Sequence, residues 1–421
     1  MRKVGISAIS RRHLLALGAA TAASAVLSPR SVLAATAGLE SMTGDVKPIS
    51  RDEYLLRIEK ARNLMRKAGI GALLIEPGAS MIYFTGVHWW RSERLTAVVI
   101  PRDGEIAIVT PHFEAPSVSE TLEVPAELRV WQEDEDPLKT IAGILNDRKV
   151  RDPVGIEETV RYFAIDGLMR AMPDVQIMSG AAIFRACRMV KSPNELKLMQ
   201  KASDITIAAY RHVGPRIEKG MIPQDIGAMM DAAHKALGAD PEFALILLGE
   251  ASAYPHGSGK PQAVKQGEVV LMDCGCSVHG YQSDISRSFV FGEANAEQRK
   301  VWQQVRQGQQ IAIDTARVGV PAGAVDDAVR AQYEKWGYGP GYKLPGTSHR
   351  TGHGIGLDGH EPVNLVHGES TPLAEAMCFS NEPGIYLPGK FGIRLEDCFH
   401  MGEKEPIWFS TPPDSIDKPF G

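Results

Sequence analysis

An α/β domain followed by an α+β domain is the fold class the sequence predicts, on three observations. Strands alternate with helices from about Ser50 to residue 180, a strongly signalled helix starts at Ser192, and beyond it helices give way to strands toward the C-terminus. At 421 residues the chain is long enough for two domains with their own cores, and 44% hydrophobic with 23% charged residues excludes disordered and collagen-like classes.

Residues 1–37 stand apart. Arg2, Lys3, Arg11 and Arg12 precede an apolar run from Leu14 to Leu27, and small residues follow around Ala34 to Ala37. That is the layout of an export signal, and "SRRHLL" has the twin-arginine form. The run is short for a membrane span and no later segment replaces it. The mature protein is therefore expected to be soluble and periplasmic. Removing this segment takes away Arg2, Lys3, Arg11, Arg12 and Arg30 and no acidic residue, so the formal charge falls from −5 to −10. Such an acidic balance disfavours nucleic acid or an anionic membrane as partner.

The first domain is expected over residues 38–185. Tyr54 to Ala68 has helical periodicity, Ala72 to Ile75 is a short apolar strand, and "LTAVVIPRDGEIAIVT" reads as a hairpin around Asp103-Gly104. "VGIEE" from Val154 is a further strand. The second domain is expected over 186–421. Its first long helix has Ser192 as N-cap, Pro193 at the first helical position and Glu195 three after the cap. Helices are expected at Pro223 to Leu237, Ala296 to Val318 and Ala324 to Lys335, and strands from Ala376 to Tyr386 and from Phe391 to His400.

Within "LMDCGCSVHGYQSDISRSF" an apolar strand runs into Ser277-Val278-His279-Gly280 and alternation resumes at Tyr281, so the stretch reads as a hairpin. With Val278 and His279 at the tip, Asp273 lies directly across from Asp284. Opposed like charges destabilise an antiparallel pair, and two close carboxylates do not both ionise cheaply. One or two divalent cations between them would turn that cost into shared coordination. Downstream, "SHRTGHGIGLDGHEP" places His349, His353 and His360 in a short glycine-rich stretch, "FSNEPGIY" supplies Glu382, and "GIRLED" supplies Glu396. Four carboxylates with an imidazole suit a dinuclear site of Mn, Fe, Co or Zn, with Mn expected, and point away from a thiolate site.

The series "MDCGCSVHGYQSDISRSF", "TGHGIGLDGHEP", "SNEPGIY" and "GIRLED" resembles the pita-bread metallopeptidases: aminopeptidase P, prolidase, methionine aminopeptidase and the related creatinase. "MIYFTGVHWW" and "RMVKSPNELKLMQKA" are similar to the creatinase-type N-terminal domain and the junction helix of the aminopeptidase P and prolidase branch. The resemblance implies a pita-bread C-terminal domain with Asp273, Asp284, His353, Glu382 and Glu396 as ligands to two divalent metal ions. It also implies that His256 and His360 contact the scissile carbonyl, that Glu382 is base and proton shuttle, and that His349 and Arg394 complete the active site. The implied reaction is cleavage of the bond between an N-terminal residue and proline, by a homodimer or homotetramer in which the N-terminal domain reaches toward a neighbour's site; Trp89 and Trp90 are candidates for that rim, with ordinary core aromatics as the alternative.

Two other readings stay in play. Some relatives act on small non-peptide substrates. Creatinase lacks the metals, against the intact ligand set here, and a lyase of the same fold resembles this chain but carries an additional acid where Gly275 stands. A metal-free binding protein on the same fold would have lost ligands. Gly354 to Gly359 satisfies G-x-G-x-x-G, but Pro362 follows and no helix opens there, and "GSGKP" lacks the hydroxyl residue of a P-loop. There is no H-E-x-x-H and no G-x-S-x-G, which argues against a zincin or a serine hydrolase. The five cysteines, Cys187, Cys274, Cys276, Cys378 and Cys398, include no C-x-x-C pair and read as buried thiols, with a Cys378–Cys398 disulfide open.

Overall fold

A computed structural model describes residues 36–420. The export signal expected over residues 1–37 lies, but for its last two positions, outside the described residues. Among the described residues no helix is long and apolar enough to cross a membrane.

The helix Arg51–Ala68 opens with a reciprocal cap, Ser50 N–H donating to Glu53 Oε2 at 2.9 Å, and closes at Gly69 in the left-handed conformation. It covers a six-stranded mixed sheet ordered β4-β3-β2-β1-β5-β6. The strands are β1 (Ala72–Ile75), β2 (Ala97–Pro101), β3 (Ile106–Pro111), β4 (Ala126–Trp131), β5 (Val154–Ile156) and β6 (Ile177–Ser179). The pleat sends Leu73, Ile75, Val98, Ile100, Ile106 and Ile108 into the core under that helix. Leu74, Val99 and Val109 face the opposite core, with Ile141 and Leu145 of the helix Pro137–Asp147.

The helix Pro193–Val213 begins at the Ser192 cap, where Ser192 N–H donates to Glu195 Oε2 at 2.6 Å. It packs on a sheet ordered β10-β8-β7, built from β7 (Asp240–Leu248), β8 (Val269–Val278) and β10 (Ile285–Val290), with the two-residue β9 (Tyr281–Gln282) on β8. The Tyr210 hydroxyl donates to the Ile285 carbonyl at 2.7 Å, fixing helix to hairpin. The helices Pro223–Ala236, Ala296–Thr315 and Ala322–Lys335 differ from the expected ranges by one to three residues at one end.

The two long C-terminal strands expected from the sequence are each broken in two. β13 (Cys378–Asn381) and β14 (Gly384–Leu387) replace the first, and β15 (Phe391–Arg394) and β16 (Asp397–Met401) the second. β13 and β16 join β11 (Gly352–Gly354), β12 (Glu361–Leu365) and β17 (Pro406–Trp408) in a sheet ordered β12-β11-β13-β16-β17, whereas β14 and β15 pair with each other. Pro383 has no N–H for a ladder, so the ribbon leaves one sheet at this point and enters the next.

All five cysteines are free and buried. Cys378 lies opposite His400, and Cys398 opposite Ser380, so the pair left open by the sequence is not bridged. Burial pushes the Cys276 thiol up to about 11 and Cys378 to about 12, which suits inert core residues. Trp89 stacks on Trp90 with ring centroids 4.5 Å apart, and Trp90 is 65% exposed.

Candidate metal centre and active site

The site is built on the β8–β10 hairpin, where the structure corrects one expectation. The turn is His279-Gly280, at φ of 49° and 84°, and Val278 pairs with Tyr281. Two central residues at positive φ define the turn that matches strand twist, and Gly280 supplies one of them without steric cost. The tip therefore sits one residue later than Val278-His279. Asp273 faces Ser286, and Asp284 lies just before β10 on the same face as Ser286, diagonal to Asp273. The two carboxylates still converge: one oxygen each of Asp273, Asp284 and Glu396 lie within 4.8 Å of one another.

Glu382 and Glu396 occupy the corner where the C-terminal ribbon changes sheets. Asn381 pairs with Asp397 on one side and Gly384 with Arg394 on the other, a single register that sets Glu382 across from Glu396. Backbone bonds hold both: Glu382 N–H donates to the Thr351 carbonyl at 2.9 Å and Glu396 N–H to the Ser286 carbonyl at 3.1 Å. Ser286 Oγ donates to Glu396 Oε2 at 2.8 Å and accepts from Arg394 Nε at 2.9 Å.

His353, on β11, is buried. Its Nδ1 lies 3.0 Å from the Gly354 carbonyl, a bond only a protonated Nδ1 can make, so Nε2 carries the lone pair. That nitrogen is 3.4 Å from Glu382 Oε1 and 3.5 Å from Asp284 Oδ2. Burial, with His360 adding to it, holds the His353 ring well below its usual titration range and hence neutral. His360 packs edge-on against it with centroids 4.1 Å apart. His349 Nε2 lies 2.7 Å from the Tyr386 hydroxyl, and burial lowers its pKa to about 3.

Burial is also the main cause that raises Asp284 and Glu396 well above the carboxylate range and Glu382 to about 7; neighbouring acids add to each. Asp273 Oδ1 is buried and has no hydrogen-bond partner, while Oδ2 accepts from Arg394 Nη2 at 2.6 Å. Crowded carboxylates, an orphaned acceptor and an imidazole lone pair aimed among them form a donor set that fits hard divalent cations. The triads Asp273/Asp284/Glu396 and His353/Glu382/Glu396 have Glu396 in common, so two candidate cation positions adjoin one another. His360 also falls within ligand distance of Asp284 and His353, although the sequence resemblance assigns it to the substrate side.

All nine residues singled out from the sequence, His256, Asp273, Asp284, His349, His353, His360, Glu382, Arg394 and Glu396, line one cavity of about 390 Å³. A larger cavity of about 540 Å³ beside Ile416 and Phe420 has no cluster of ligand-type side chains among the described residues. Sequence reasoning missed two groups at the site. Arg350 lines the cavity, and the Tyr386 hydroxyl links His349 to Arg394, whose Nη1 is 3.1 Å away. Both sit inside the short motifs already quoted, Arg350 between two site histidines and Tyr386 four residues after Glu382.

Gly275 is packed on the neighbouring strands. A Cβ there would lie 2.3 Å from the Ser283 carbonyl oxygen and 2.5 Å from Phe243. The extra acid of the lyase reading has no room at this position.

Comparison with known proteins agrees with this geometry. The sequence model of Metallopeptidase family M24 matches residues 197–403, and that of the Creatinase/Prolidase N-terminal domain matches 57–190. The chain is 30% identical over 371 residues to a probable dipeptidase PepE of Mycobacterium tuberculosis, covering 86% of this chain and 96% of that one. A prolidase from Thermococcus sibiricus superposes with a TM-score of 0.79 at 28% identity, over 85% of this chain and 97% of its own. An X-Pro aminopeptidase from Thermotoga maritima gives 0.76 at 28% identity, over 85% and 98%.

Proposed function

This chain belongs to metallopeptidase family M24, with the creatinase/prolidase type of N-terminal domain, and from that premise we propose that it hydrolyses the bond between an N-terminal residue and a following proline. The observation that carries the reading is the convergence of four carboxylates and a tautomer-fixed imidazole on the cavity that also holds His256, His349, His360 and Arg394. Relatives named as prolidase and X-Pro aminopeptidase support proline after the scissile bond.

Asp273, Asp284, His353, Glu382 and Glu396 would hold two divalent cations. Such a pair polarises a peptide carbonyl and makes water a nucleophile near neutral pH. Glu382 would take a proton from the attacking water and deliver it to the prolyl nitrogen as the C–N bond breaks. His360 and His256 line the cavity from which charge on the carbonyl oxygen is offset. Arg394 holds Asp273 and, through Tyr386, orients His349.

The test is cleavage of matched Xaa-Pro and Xaa-Ala dipeptides and tripeptides by residues 38–421 loaded with Mn(II), read by mass spectrometry beside a chelated control. Chelator-sensitive release of the first residue from Xaa-Pro peptides alone supports the proposal. A protein that holds two metals and cleaves none of them sinks it, and a small non-peptide substrate becomes the better reading.

Manganese as the working metal is supported by the oxygen-dominated donor set, and elemental analysis of protein from its native host would test it. Export to the periplasm is supported by "SRRHLL" and the apolar run after it. Recovery of active enzyme from the periplasm of a strain lacking twin-arginine transport would contradict that route. A homodimer or homotetramer is proposed from family resemblance, and light scattering showing a monomer would reject it.

A further inference from the structure

Among the described residues two arginines line the cavity, and one of them is fully engaged by the protein. Arg394 is bound to Asp273, Ser286, Tyr386 and the Pro255 carbonyl. Arg350 lines the same cavity, half-buried, and its guanidinium has no hydrogen bond or ion pair among the described residues. Its backbone is fixed on both sides. The Arg350 carbonyl lies 2.8 Å from His349 Nδ1, and the next residue, Thr351, donates through its N–H and hydroxyl to Asp326 Oδ1 at 3.1 and 2.7 Å. The backbone is anchored, and the guanidinium is hydrogen-bonded to nothing among the described residues, although its charge acts on Glu382.

A free guanidinium facing a cavity that cleaves peptides calls for an anion on the substrate. In a Xaa-Pro dipeptide the α-carboxylate belongs to the proline, separated from the reacting nitrogen by one carbon. In a longer peptide that group is a neutral amide. Arg binds carboxylates through two parallel N–H···O bonds, a geometry no amide can match. A cavity of about 390 Å³ is also at the small end for ligand sites, which favours a short substrate.

We propose that Arg350 is the specificity-determining residue that receives the free α-carboxylate of a Xaa-Pro dipeptide, so that the enzyme is a dipeptidase in preference to an aminopeptidase of longer peptides. The inference rests on the Xaa-Pro reading above.

The experiment compares Ala-Pro, its C-terminal amide and Ala-Pro-Ala on metal-loaded wild type, Arg350→Ala and Arg350→Lys, with kcat and KM separated and thermal unfolding checked for each protein. Wild type is expected to favour the free acid over the amide by about 10- to 100-fold in kcat/KM, mostly through KM, the range of a charge-assisted hydrogen bond. That ratio collapses toward one in Arg350→Ala and recovers in part in Arg350→Lys, which keeps the charge but loses the fork. Should Arg350→Ala fail to fold, Arg350→Gln carries the same comparison. Equal rates on acid and amide by wild type, or an unchanged ratio in the variants, overturns the role of Arg350 and leaves Xaa-Pro cleavage standing. Failure of wild type to cleave any of the three overturns both.

Discussion

Arg394 Nη2 donates to Asp273 Oδ2 at 2.6 Å, and the arginine's side chain is 4% exposed. The carboxylate is thereby divided: one oxygen is held by the guanidinium and the other, Oδ1, is buried without a hydrogen-bond partner. Arg394→Ala removes the orienting bond and leaves Asp273 uncompensated. Loss of a group that orients a ligand typically costs about 10- to 100-fold in metal affinity. Breaking a buried pair costs about 3–5 kcal/mol in the metal-free protein. Competition with a fluorescent chelator and urea unfolding would measure the two, and an unchanged metal affinity would exclude the orienting role.

The pH dependence of the metal-free protein follows from the same crowding. Burial and neighbouring acids raise Glu382 from 4.5 to about 7, and Asp284 and Glu396 move in the same direction. A raised carboxyl favours the folded state fully at low pH, and that contribution is lost as pH rises from about 4.5 through about 7. Chelated protein should therefore lose Tm over that interval, while added divalent metal, which needs the ionised ligands, restores more Tm at pH 8 than at pH 5. Scanning calorimetry with and without chelator checks this. A metal-induced Tm gain that does not vary with pH would contradict it.

Much of this site was legible because its ligands lie in short local motifs. Glu382 stands beside Pro383, Glu396 lies two residues after Arg394, and His353 is flanked by glycines, so each could be recognised without knowing its partner. Register was harder to read. The turn hinges on one residue: Gly280 takes φ of 84° at no steric cost, whereas β-branched Val278 resists positive φ, so His279-Gly280 forms the tip. The broken C-terminal strands were missed for a related reason: apolar alternation continues through Glu382 and Leu395 even though the ladder partner changes there. Arg350 left no signal of its own, since an arginine beside histidines looks the same whether its head is paired or free.

Glu361 illustrates a contact that sequence separation hides. It is 3% exposed, receives Arg188 Nη2 at 2.5 Å from the end of the N-terminal matched region and Lys191 Nζ at 2.9 Å from the segment joining the two matched regions, and accepts the Leu357 N–H at 3.0 Å. Burial alone would raise it, but Arg188 and Lys191 outweigh burial and hold it at about 2. A depressed carboxyl contributes stability above its unfolded pKa of about 4.5, lost as pH falls toward 2. Glu361→Gln should cost about 3–5 kcal/mol at pH 7, because two buried cations lose their shared anion. The deficit relative to wild type should shrink between pH 4.5 and pH 2.5. Urea unfolding across that interval is the measurement, and a constant difference would show that Glu361 acts through packing alone.

Gly275 offers the sharpest test of why this chain carries the peptidase ligand set without the further acid of the lyase reading. It sits in β8 between Cys274 and Cys276, both buried, and its missing Cβ is what lets the Ser283 carbonyl and the Phe243 ring close on the strand. The Ser283 backbone is not free to retreat, since its N–H donates to the Cys276 carbonyl at 2.9 Å and its hydroxyl lies 2.8 Å from Thr206 Oγ1. Overpacking against fixed backbone costs about 1–3 kcal/mol, so Gly275→Ala should lie near the top of that range. Gly275→Asp adds a buried charge beside an acidic cluster and should be worse, with loss of metal as well as of stability. Denaturant midpoints and bound-metal analysis of the two variants, beside wild type, decide the matter. If Gly275→Asp folds as stably as wild type and keeps its metals, packing is not what excludes an acid here, and the lyase-like alternative deserves direct assay on small substrates.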